Sequence, residues 1–280
     1  MRGTEKNRQR ADALSGRTGD LVVMLLLIDI GNTSIKIGLS ATNGILTAYT
    51  LPTDYTSQSA DSLGLCLRGL LNHASAGCAV RSCLVSSVVP TMNPLLRGAC
   101  ERFLNVRPVF AHQEIPVPLD NHYERPGEVG TDRLVAAYGA RRLYPDAAAI
   151  ICADYGTATT FDCIREQAYL GGLICPGIMS SLHALSTRTA LLPRIALEAI
   201  TDRPIAGRDT TTSLNHGFLF GFAAMTEGLC ARLAVDLPAP LAVVATGGFA
   251  QAVADVTDCI TAVHPDLILE GLRLLHEELA

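Results

Sequence analysis

The sequence predicts an α/β protein composed of two duplicated lobes, because one strand-and-turn pattern occurs twice. In each copy an apolar strand ends in Asp-x-Gly, a polar turn follows, and a second β-prone strand leaves the turn. Asp29 and Asp154 are the equivalent carboxylates of the two copies. A third strand, which begins at Leu241, ends in a Gly-Gly turn at 247–248. Two matching acidic hairpins and a glycine turn indicate lobes that close on one nucleotide.

The second acidic turn has the chemistry of an ion-binding loop. Gly156 allows the backbone to turn tightly and to approach a ligand closely. Exposed N–H groups in such a turn can bind an anion, and the Asp154 carboxylate can hold a cation beside it. A plain polar hairpin turn explains this stretch equally well when it is taken alone. The second copy at Asp29 favours the ion-binding interpretation.

Strands and helices alternate along the first half of the chain, as expected of an α/β fold. Asn43-Gly44 predicts a turn after the first hairpin. Leucines three or four positions apart predict helices, whereas Pro116 and Pro118 predict an extended connector or an edge strand. The predicted elements are strands at 45–51 and 80–89, helices at 61–72 and 91–103, and the connector at 109–119.

A polar segment at 121–133 opens the next helix. Thr131 is the predicted N-cap, so Asp132 and Arg133 stand in the first turn, facing whatever binds in front of it. This stretch alone favours a helix-dipole role for Asp132 over a catalytic role. Further helices are predicted after Pro176-Gly177, at 213–234 and at 265–279. The apolar stripe of the helix at 213–234 is assigned to the core or to a dimer interface.

Composition narrows the possible classes of function. The net charge of −5 argues against a general nucleic-acid surface. The nine cysteines include no C-x-x-C pair, which predicts buried thiols in a reducing compartment. No uninterrupted apolar run reaches the ~18 residues of a membrane span, so no membrane partner is expected. The chain also lacks G-x-x-x-x-G-K-[ST] and G-x-G-x-x-G, which argues against a P-loop and a dinucleotide fold.

Residues 1–23 do not have the composition of a folded element. The segment 2–20 is charged and poor in apolar residues, which predicts disorder. The apolar stretch at 21–28 runs directly into Asp29 and lacks a small-residue cleavage site, which argues against a signal peptide. Met24 stands at the natural start of the first strand. We therefore expect residues 1–23 to be a dispensable extension or a misassigned start.

Six motifs follow one another along the chain. They are Asp29-x-Gly-Asn-Thr33, Gly130-x-Asp-Arg133, Asp154-x-Gly-Thr-Ala-Thr-Thr160, Gly171-Gly172 with Pro176-Gly177, Thr189-Ala190 with Leu192-Pro193, and Thr246-Gly-Gly248. In this order they resemble the type III pantothenate kinases, members of the acetate kinase, hexokinase, Hsp70 and actin superfamily. One acidic hairpin marks only the superfamily, whereas all six in this order are specific to the family. The resemblance runs from about Met24 to the C-terminal helix. Thr131 departs from the family's frequent Ala at that position.

The resemblance implies a fold of two actin-like, ribonuclease H-like lobes with a nucleotide cleft between them. The first lobe is expected at 24–136 and the second at 137–280, with a last helix that can pack back on the first lobe. It also implies a homodimer in the cytoplasm.

The resemblance further implies ATP-dependent phosphorylation of pantothenate, the first committed step toward coenzyme A, with an alcohol group as acceptor. Asp132 would accept the hydroxyl proton. Asp154 would bind a monovalent cation, K⁺ or NH₄⁺, and Asp29 would be the carboxylate nearest Mg²⁺. The expected ATP contacts are Asp29, Ile30, Gly31, Asn32, Thr33, Ser34, Ile35, Lys36 and Thr157. The expected pantothenate contacts are Tyr123, Gly130, Thr131, Asp132, Arg133 and Thr210.

Two alternatives of different kinds stay open at this point. One is another small-molecule kinase or ATPase of the same superfamily, against which Tyr123 and the 130–133 motif argue. The other is a non-catalytic accessory factor for transcription. The complete set of acidic residues and the lack of a basic helix argue against that second alternative.

Overall fold

The computed structural model describes residues 23–41, 44–54, 56–74, 79–188 and 206–279. The chain divides into two compact units, one that ends at Phe110 and one that begins at Ala111. The first unit contains β1 Val23–Ile30, β2 Ser34–Ala41, β3 Gly44–Pro52, α1 Ala60–Ala74, β4 Ala79–Ser87, α2 Asn93–Leu104 and β5 Pro108–Phe110. The expectations for residues 1–22 and for the motif at 189–193 lie outside the described residues.

The first unit is a five-stranded sheet in the order β3-β2-β1-β4-β5. β1, β2 and β3 are antiparallel, whereas β1, β4 and β5 are parallel. Leu26, Ile28 and Ile30 alternate along β1 into the core, where α1 and α2 contribute Leu63 and Leu96. Apolar alternation therefore places one face of the sheet against the two helices.

The second unit contains more elements arranged around a larger sheet. They are β6 Asp120–Asn121, α3 Thr131–Leu143, β7 Ala149–Tyr155, β8 Ala158–Arg165, β9 Ala168–Pro176, α4 Ile178–Arg188, α5 Thr210–Leu233, β10 Leu241–Thr246, α6 Ala250–Ala254, β11 Ala262–Val263 and α7 Leu267–Leu279. The sequence analysis set the lobe boundary at 136. The structure groups residues 111–136 with the second unit, because β6 pairs with β9 and α3 contacts β7 and β8.

The strand order of the second sheet repeats that of the first. It is β11-β10-β7-β8-β9-β6, with β7, β8 and β9 antiparallel and β7, β10 and β11 parallel. β6 adds one short parallel strand at the edge next to β9. Five strands in each unit thus share one order and one set of directions. The predicted α/β fold and its duplicated strand pattern are confirmed.

The two faces of the second sheet carry different chemistry. Ile151, Ala153 and Tyr155 point into an apolar core shared with α4, α5 and α6. Because strand side chains alternate, Asp154 and its neighbours of even number on β7 face the other way. Phe161 of β8 belongs to the apolar core, which leaves the neighbouring even-numbered positions of β8 on the α3 side. Asp154, Thr160 and Asp162 therefore lie on the face that α3 contacts.

Helices α3 and α7 cross at two glycines. A Cβ on Gly139 would lie 3.1 Å from the Cα of Gly271 and 3.1 Å from the carbonyl oxygen of Leu267. A Cβ on Gly271 would overlap the carbonyl oxygen of Val135 and lie 3.0 Å from its Cγ1. The close approach buries almost the whole of α3, so its first turn is held firmly on the sheet.

Some local predictions differ from the structure. Gly130, not Thr131, occupies the N-cap of α3, and no side chain caps that helix. Thr131 is the first helical residue and is 5% exposed, because its side chain turns into the protein. α5 begins at Thr210, earlier than predicted, since the Asp209 carboxylate accepts a hydrogen bond from the Thr212 amide at 2.8 Å. The eight cysteines that the structure describes are free, as expected from the sequence.

Helix α5 is long and apolar. With the 3₁₀ turn that follows it, the helix spans Thr210–Asp236. Within the described part of the chain, it is the one helix long and apolar enough to cross a membrane. Core helices of soluble proteins meet the same two conditions. Ala223 and Cys230 of α5 are buried in the core of the second unit. The expectation that the protein has no membrane partner stays a prediction.

Candidate functional site

The first acidic turn joins β1 to β2. Asp29, near the end of β1, is 6% exposed. The Gly31 amide donates to the Ser34 carbonyl at 3.0 Å and closes the turn. Thr53, just after β3, donates its amide to the Thr33 carbonyl at 3.0 Å and its hydroxyl to the Gly31 carbonyl at 2.7 Å. The turn is therefore held both by its own strands and by the residue that follows β3.

The residues around this turn differ in what they can offer a ligand. Asn32 and Thr33 are exposed at its tip, whereas Ile30 and Ile35 are buried in the core. Lys36 lies opposite Asp29 in the antiparallel register of β1 and β2. The two isoleucines can therefore meet a nucleotide only through their backbone, while the polar residues can do so through side chains.

The second acidic turn joins β7 to β8 and is packed against the start of α4. The Gly156 amide donates to the Ala158 carbonyl at 3.0 Å. The Ser180 hydroxyl donates to the Thr157 carbonyl at 2.7 Å. A Cβ on Gly177 would overlap that same carbonyl and lie 2.7 Å from the Gly156 carbonyl oxygen. Only glycine at 177 allows α4 to begin this close to the turn.

The Asp154 carboxylate lies against the glycine turn at the end of β10. Thr246 pairs with Asp154 across the parallel strands. The next residue, Gly247, has φ +93°, and a Cβ there would overlap Asp154 Oδ1. Carboxylate and carbonyl oxygens are the ligands that hard cations prefer. Asp154 therefore offers a carboxylate to a cation, although no group of three or more His, Cys, Asp or Glu side chains forms a metal cluster among the described residues.

The first turn of α3 presents Asp132. Its Oδ1 accepts a hydrogen bond from the Arg133 amide at 2.8 Å. Burial raises the pKa of the Asp132 carboxyl, the Arg133 amide opposes this shift, and the charge of Asp162 adds to it. A carboxylate with a raised pKa is a better proton acceptor than an ordinary aspartate.

The Arg133 side chain points onto the sheet and makes a buried ion pair. Its Nε and Nη2 donate to Asp162 Oδ1 at 3.0 and 2.6 Å. Only 11% of the Arg133 side chain and 2% of the Asp162 side chain are exposed. Burial alone would lower the pKa of Arg133, but the hydrogen bond and charge of Asp162 raise it overall. Burial raises the pKa of Asp162, while the hydrogen bonds and charge of Arg133 oppose that shift.

Two tyrosines complete this group. The Tyr169 hydroxyl donates to Asp162 Oδ1 at 2.6 Å. Burial and the nearby Asp162 charge raise the pKa of Tyr169, so the phenol stays a donor. Tyr123 lies near Arg133 and helps to raise the pKa of the guanidinium, and a Cβ on Gly171 would lie 3.3 Å from the Tyr123 ring. The structure thus brings together Tyr123, Asp132 and Arg133 of the expected pantothenate contacts.

Thr210 belongs to a different element. It is the first residue of α5 and follows a polar loop. A Cβ on Gly207 in that loop would lie 2.5 Å from the Ser213 amide nitrogen, so the loop is folded tightly on the helix start. Together with Arg208 and Asp209, Thr210 lines a depression at this helix end.

The sequence analysis did not identify Asp162 or Tyr169 as site residues. One signal was available for Asp162. It is a carboxylate between the buried residues Phe161 and Cys163 of a strand, and buried charges in strands need a partner. The identity of that partner, Arg133, could not be read from the sequence because it lies 29 residues earlier.

Comparison with known proteins shows which protein family this chain resembles. The family model for type III pantothenate kinase matches residues 25–232. A protein of Nitratidesulfovibrio vulgaris strain DP4 named type III pantothenate kinase is 62% identical over 256 residues, which cover 91% of this chain and 97% of that protein. Proteins with the same name from Oleidesulfovibrio alaskensis and Anaeromyxobacter dehalogenans are 57% and 39% identical, each over 91% of this chain and over 97% and 99% of theirs.

Solved structures support the fold. A Campylobacter jejuni protein named for the Baf family of transcriptional activators has a TM-score of 0.56 and 19% identity, covering 90% of this chain and 98% of that one. A ROK family glucokinase from Streptomyces griseus, solved with glucose and AMPPNP, has a TM-score of 0.50 and 14% identity, with the same two coverages. At these identities the likeness concerns the fold alone. The family model and the curated relatives decide the family, and the chain belongs to the type III pantothenate kinases.

Proposed function

We propose that this protein transfers the γ-phosphoryl group of ATP to the primary hydroxyl of pantothenate and forms 4'-phosphopantothenate. This reaction is the first step of coenzyme A biosynthesis. Family membership supports the reaction, and one observation of the geometry carries it: Asp132 is a half-buried carboxylate in the first turn of α3, next to the Arg133–Asp162 ion pair. The product places the protein among phosphotransferases with an alcohol group as acceptor.

Asp132 accepts the hydroxyl proton as the phosphoryl group arrives. Most of the catalysis in phosphoryl transfer comes from positioning and charge stabilisation. A carboxylate with a pKa above its ordinary value has more driving force to take a proton than an exposed one. The hydrogen bond from the Arg133 amide orients Asp132 Oδ1 at 2.8 Å.

The two acidic turns contact ATP. We assign Asp29, the turn from Gly31 to Ser34, Lys36 and the backbone of Ile30 and Ile35 to this role, with Thr157 on the second turn. Mg²⁺ would neutralise charge on the phosphates, and we assign Asp29 to hold it directly or through water. Exposed backbone N–H groups at turns of this kind bind phosphate oxygens.

A monovalent cation, K⁺ or NH₄⁺, binds at Asp154. The glycine turn supports this assignment, because the lack of a Cβ at Gly247 brings the backbone close to Asp154 Oδ1. A cation at this position would supply positive charge beside the phosphates, and Asp154 would supply the carboxylate that holds it.

Pantothenate contacts Tyr123, Gly130 to Arg133, and Thr210. Arginine has five N–H donors in a planar fork. Arg133 directs Nε and Nη2 to Asp162, so its outer donors serve the substrate while the inner ones fix the side chain. The buried Thr131 side chain, 5% exposed, leaves its backbone as the group that meets the substrate.

The working protein is a cytoplasmic homodimer. Support comes from α5, on which the half-buried Leu214, Phe218, Phe222 and Met225 line a depression beside the exposed Gly217 and Gly221. Apolar side chains that stay partly accessible along a long helix are typical of an interface between subunits.

An assay of ADP formation tests the proposal. ATP is supplied with Mg²⁺, with and without pantothenate, first in K⁺ and then in Na⁺. We expect ADP only when pantothenate is present and faster turnover in K⁺. ADP formation with another acceptor but not with pantothenate would favour a different kinase of the superfamily. A lack of turnover with every acceptor would favour the accessory-factor alternative.

A further inference from the structure

We propose that Asp162 is a positioning residue for pantothenate, which acts by holding the Arg133 guanidinium in one orientation. This inference rests on the proposed function, because it assigns a task to a residue next to the same site. It goes beyond that function because Asp162 is not one of the expected substrate contacts. The Asp162 side chain is 2% exposed, so it affects the substrate only through its neighbours.

Four hydrogen bonds converge on the Asp162 carboxylate. Oδ1 accepts from Arg133 Nε at 3.0 Å, from Arg133 Nη2 at 2.6 Å and from the Tyr169 hydroxyl at 2.6 Å. The Thr160 hydroxyl donates to Oδ2 at 3.3 Å. Two contacts from one guanidinium fix both the position and the plane of that group. Asp162 therefore determines where the remaining donors of Arg133 point.

The glycine pair of β9 makes space for this arrangement. A Cβ on Gly172 would lie 2.9 Å from Asp162 Oδ1 and would overlap the Phe161 carbonyl oxygen. A Cβ on Gly171, which has φ +106°, would lie 3.3 Å from the Tyr123 ring. One glycine thus admits the carboxylate and its neighbour admits the ring. The two glycines therefore allow Asp162 and Tyr123 to pack closely against β9.

Arg133 is constrained at both ends. Its amide donates to Asp132 and its guanidinium is paired with Asp162. Without the carboxylate, a long arginine side chain regains rotamer freedom and loses the preorganisation of its fork. The guanidinium is then no longer held in a fixed position beside Tyr123. Weakened substrate binding is the expected consequence.

A purely structural role is the competing explanation. Buried ion pairs often contribute little net stability, because desolvation offsets the attraction. A gain in stability is therefore a weak explanation for the presence of the Arg133–Asp162 ion pair. The two explanations differ in what happens to substrate affinity when the protein stays folded, and in whether the effect depends on Arg133.

The first test is Asp162→Asn, assayed with the full chain, pantothenate and ATP. We expect the KM for pantothenate to rise about tenfold or more, comparable to the loss of one buried charge-assisted contact. The KM for ATP should stay within about twofold. The matched control is Glu278→Gln. Glu278 accepts a hydrogen bond from Tyr138 at 2.7 Å and pairs with Arg142 near the other end of α3, so it has the same kinds of partner at a half-exposed position away from the site.

A double-mutant cycle decides whether Asp162 acts through Arg133. Arg133→Gln should raise the KM for pantothenate, and adding Asp162→Asn to it should raise that KM little further. Independent effects would instead multiply. Multiplying effects, or an unchanged KM in a folded Asp162→Asn protein, would overturn the proposal.

A second variant covers the case in which Asp162→Asn does not fold. Tyr169→Phe removes one hydrogen bond to Asp162 and keeps the buried charge pair. We expect a smaller rise in the KM for pantothenate, about two- to fivefold, and an unchanged KM overturns the proposal. Wild-type turnover with pantothenate is measured first, because its absence would contradict the proposed function itself. If only the inference is wrong, the wild-type protein turns over pantothenate normally and the variants have an unchanged KM for pantothenate.

Discussion

At the scale of single residues, two neighbouring aspartates have different surroundings. Asp162 is enclosed by the guanidinium of Arg133 and the phenol of Tyr169. Asp132 stands at the start of α3, where backbone N–H groups donate to it. Burial raises the pKa of both carboxyls. Asp132 stands in the first turn of a helix and stays partly accessible, whereas Asp162 is only 2% exposed, so Asp132 is the one that can meet a substrate.

Replacing Asp132 tests its catalytic assignment. Asp132→Asn keeps the size of the side chain but cannot accept a proton as a carboxylate does. We expect kcat to fall by ~10²–10⁴-fold, the usual contribution of general base catalysis. The KM values for pantothenate and ATP should change little. A helix-dipole role instead predicts near-normal turnover and a stability loss of about 0.3–1 kcal/mol, so kcat and the melting temperature of one variant separate the two roles.

The pH dependence of the reaction should report Asp132. Burial raises its pKa from the ordinary value of 3.8, against the Arg133 amide and with the help of the Asp162 charge. The reaction needs the deprotonated form, so kcat/KM for pantothenate should fall as the pH drops through that raised pKa. Rates measured from about pH 3 to about pH 8 should show an acid limb above 3.8. A limb at or below 3.8 would show that a different group is titrating.

The cation response should depend on Asp154. Asp154→Asn removes the charge that would hold K⁺ while keeping the shape of the side chain. We expect a higher K⁺ concentration for half-maximal activity, or no response to K⁺ at all, in a protein that stays folded. Asp236→Asn, at an exposed position after α5, is the control and should respond like the wild type. If Asp154→Asn retains the wild-type K⁺ dependence, the assignment is wrong.

At the scale of elements, glycines decide how closely neighbouring parts can pack. Gly139 and Gly271 let α3 and α7 cross with their backbones in contact. Gly177 allows α4 to begin directly beside the second acidic turn. The functional residues of the second unit depend on these contacts, because α3 carries Asp132 and Arg133. Packing away from the site therefore positions the site.

Matched glycine substitutions test this dependence. Gly271→Ala would push α7 from α3, since its Cβ would overlap the Val135 carbonyl, and should lower the free energy of unfolding by about 1–3 kcal/mol. Gly69→Ala on the exposed side of α1, where a Cβ would meet nothing within 4 Å, should raise stability by up to about 1 kcal/mol. Denaturant unfolding of both variants gives the comparison. Equal effects of the two changes would mean that the crossing tolerates a methyl group.

At the scale of the whole molecule, the two units share one plan. Each has a central strand that ends in an aspartate, an antiparallel hairpin on one side and parallel strands on the other. The second unit adds β6 at the edge of its sheet and carries the Asp132–Arg133–Asp162 group. The repeated plan provides two acidic turns, and the additions provide the residues assigned to pantothenate.

The outer face of α5 should form the contact between two copies of the chain. Gly217 and Gly221 are exposed, and a Cβ on either would meet nothing within 4 Å in the protomer. Gly217→Gln with Gly221→Gln should leave the protomer folded, because glutamine favours a helix more than glycine does. We expect the variant to be monomeric in light scattering, whereas Gly69→Gln should leave the dimer intact. A dimer that survives both changes on α5 would place the interface elsewhere.

The sequence by itself determined the acidic turns and the family. Strands are short, and apolar alternation followed by Asp-x-Gly is a local pattern that can be read without knowing what packs where. The glycines at 171–172 and 247 could also be recognised as special, because glycine tolerates backbone conformations and close approaches that other residues do not. The match of the family model to residues 25–232 agrees with the motifs from which the resemblance was drawn.

The tertiary structure decided which residues meet. Arg133 and Asp162 are 29 positions apart and lie on a helix and a strand, so no periodicity links them. The N-cap of α3 is Gly130 rather than Thr131, because the Thr131 side chain is turned inward and buried to 5% exposure. Propensities describe what a residue prefers locally, whereas burial against other elements can reverse that preference. Partners that come from distant parts of the chain are set by the order of the strands and by the packing of helices on their faces, and these emerge only when the whole chain folds.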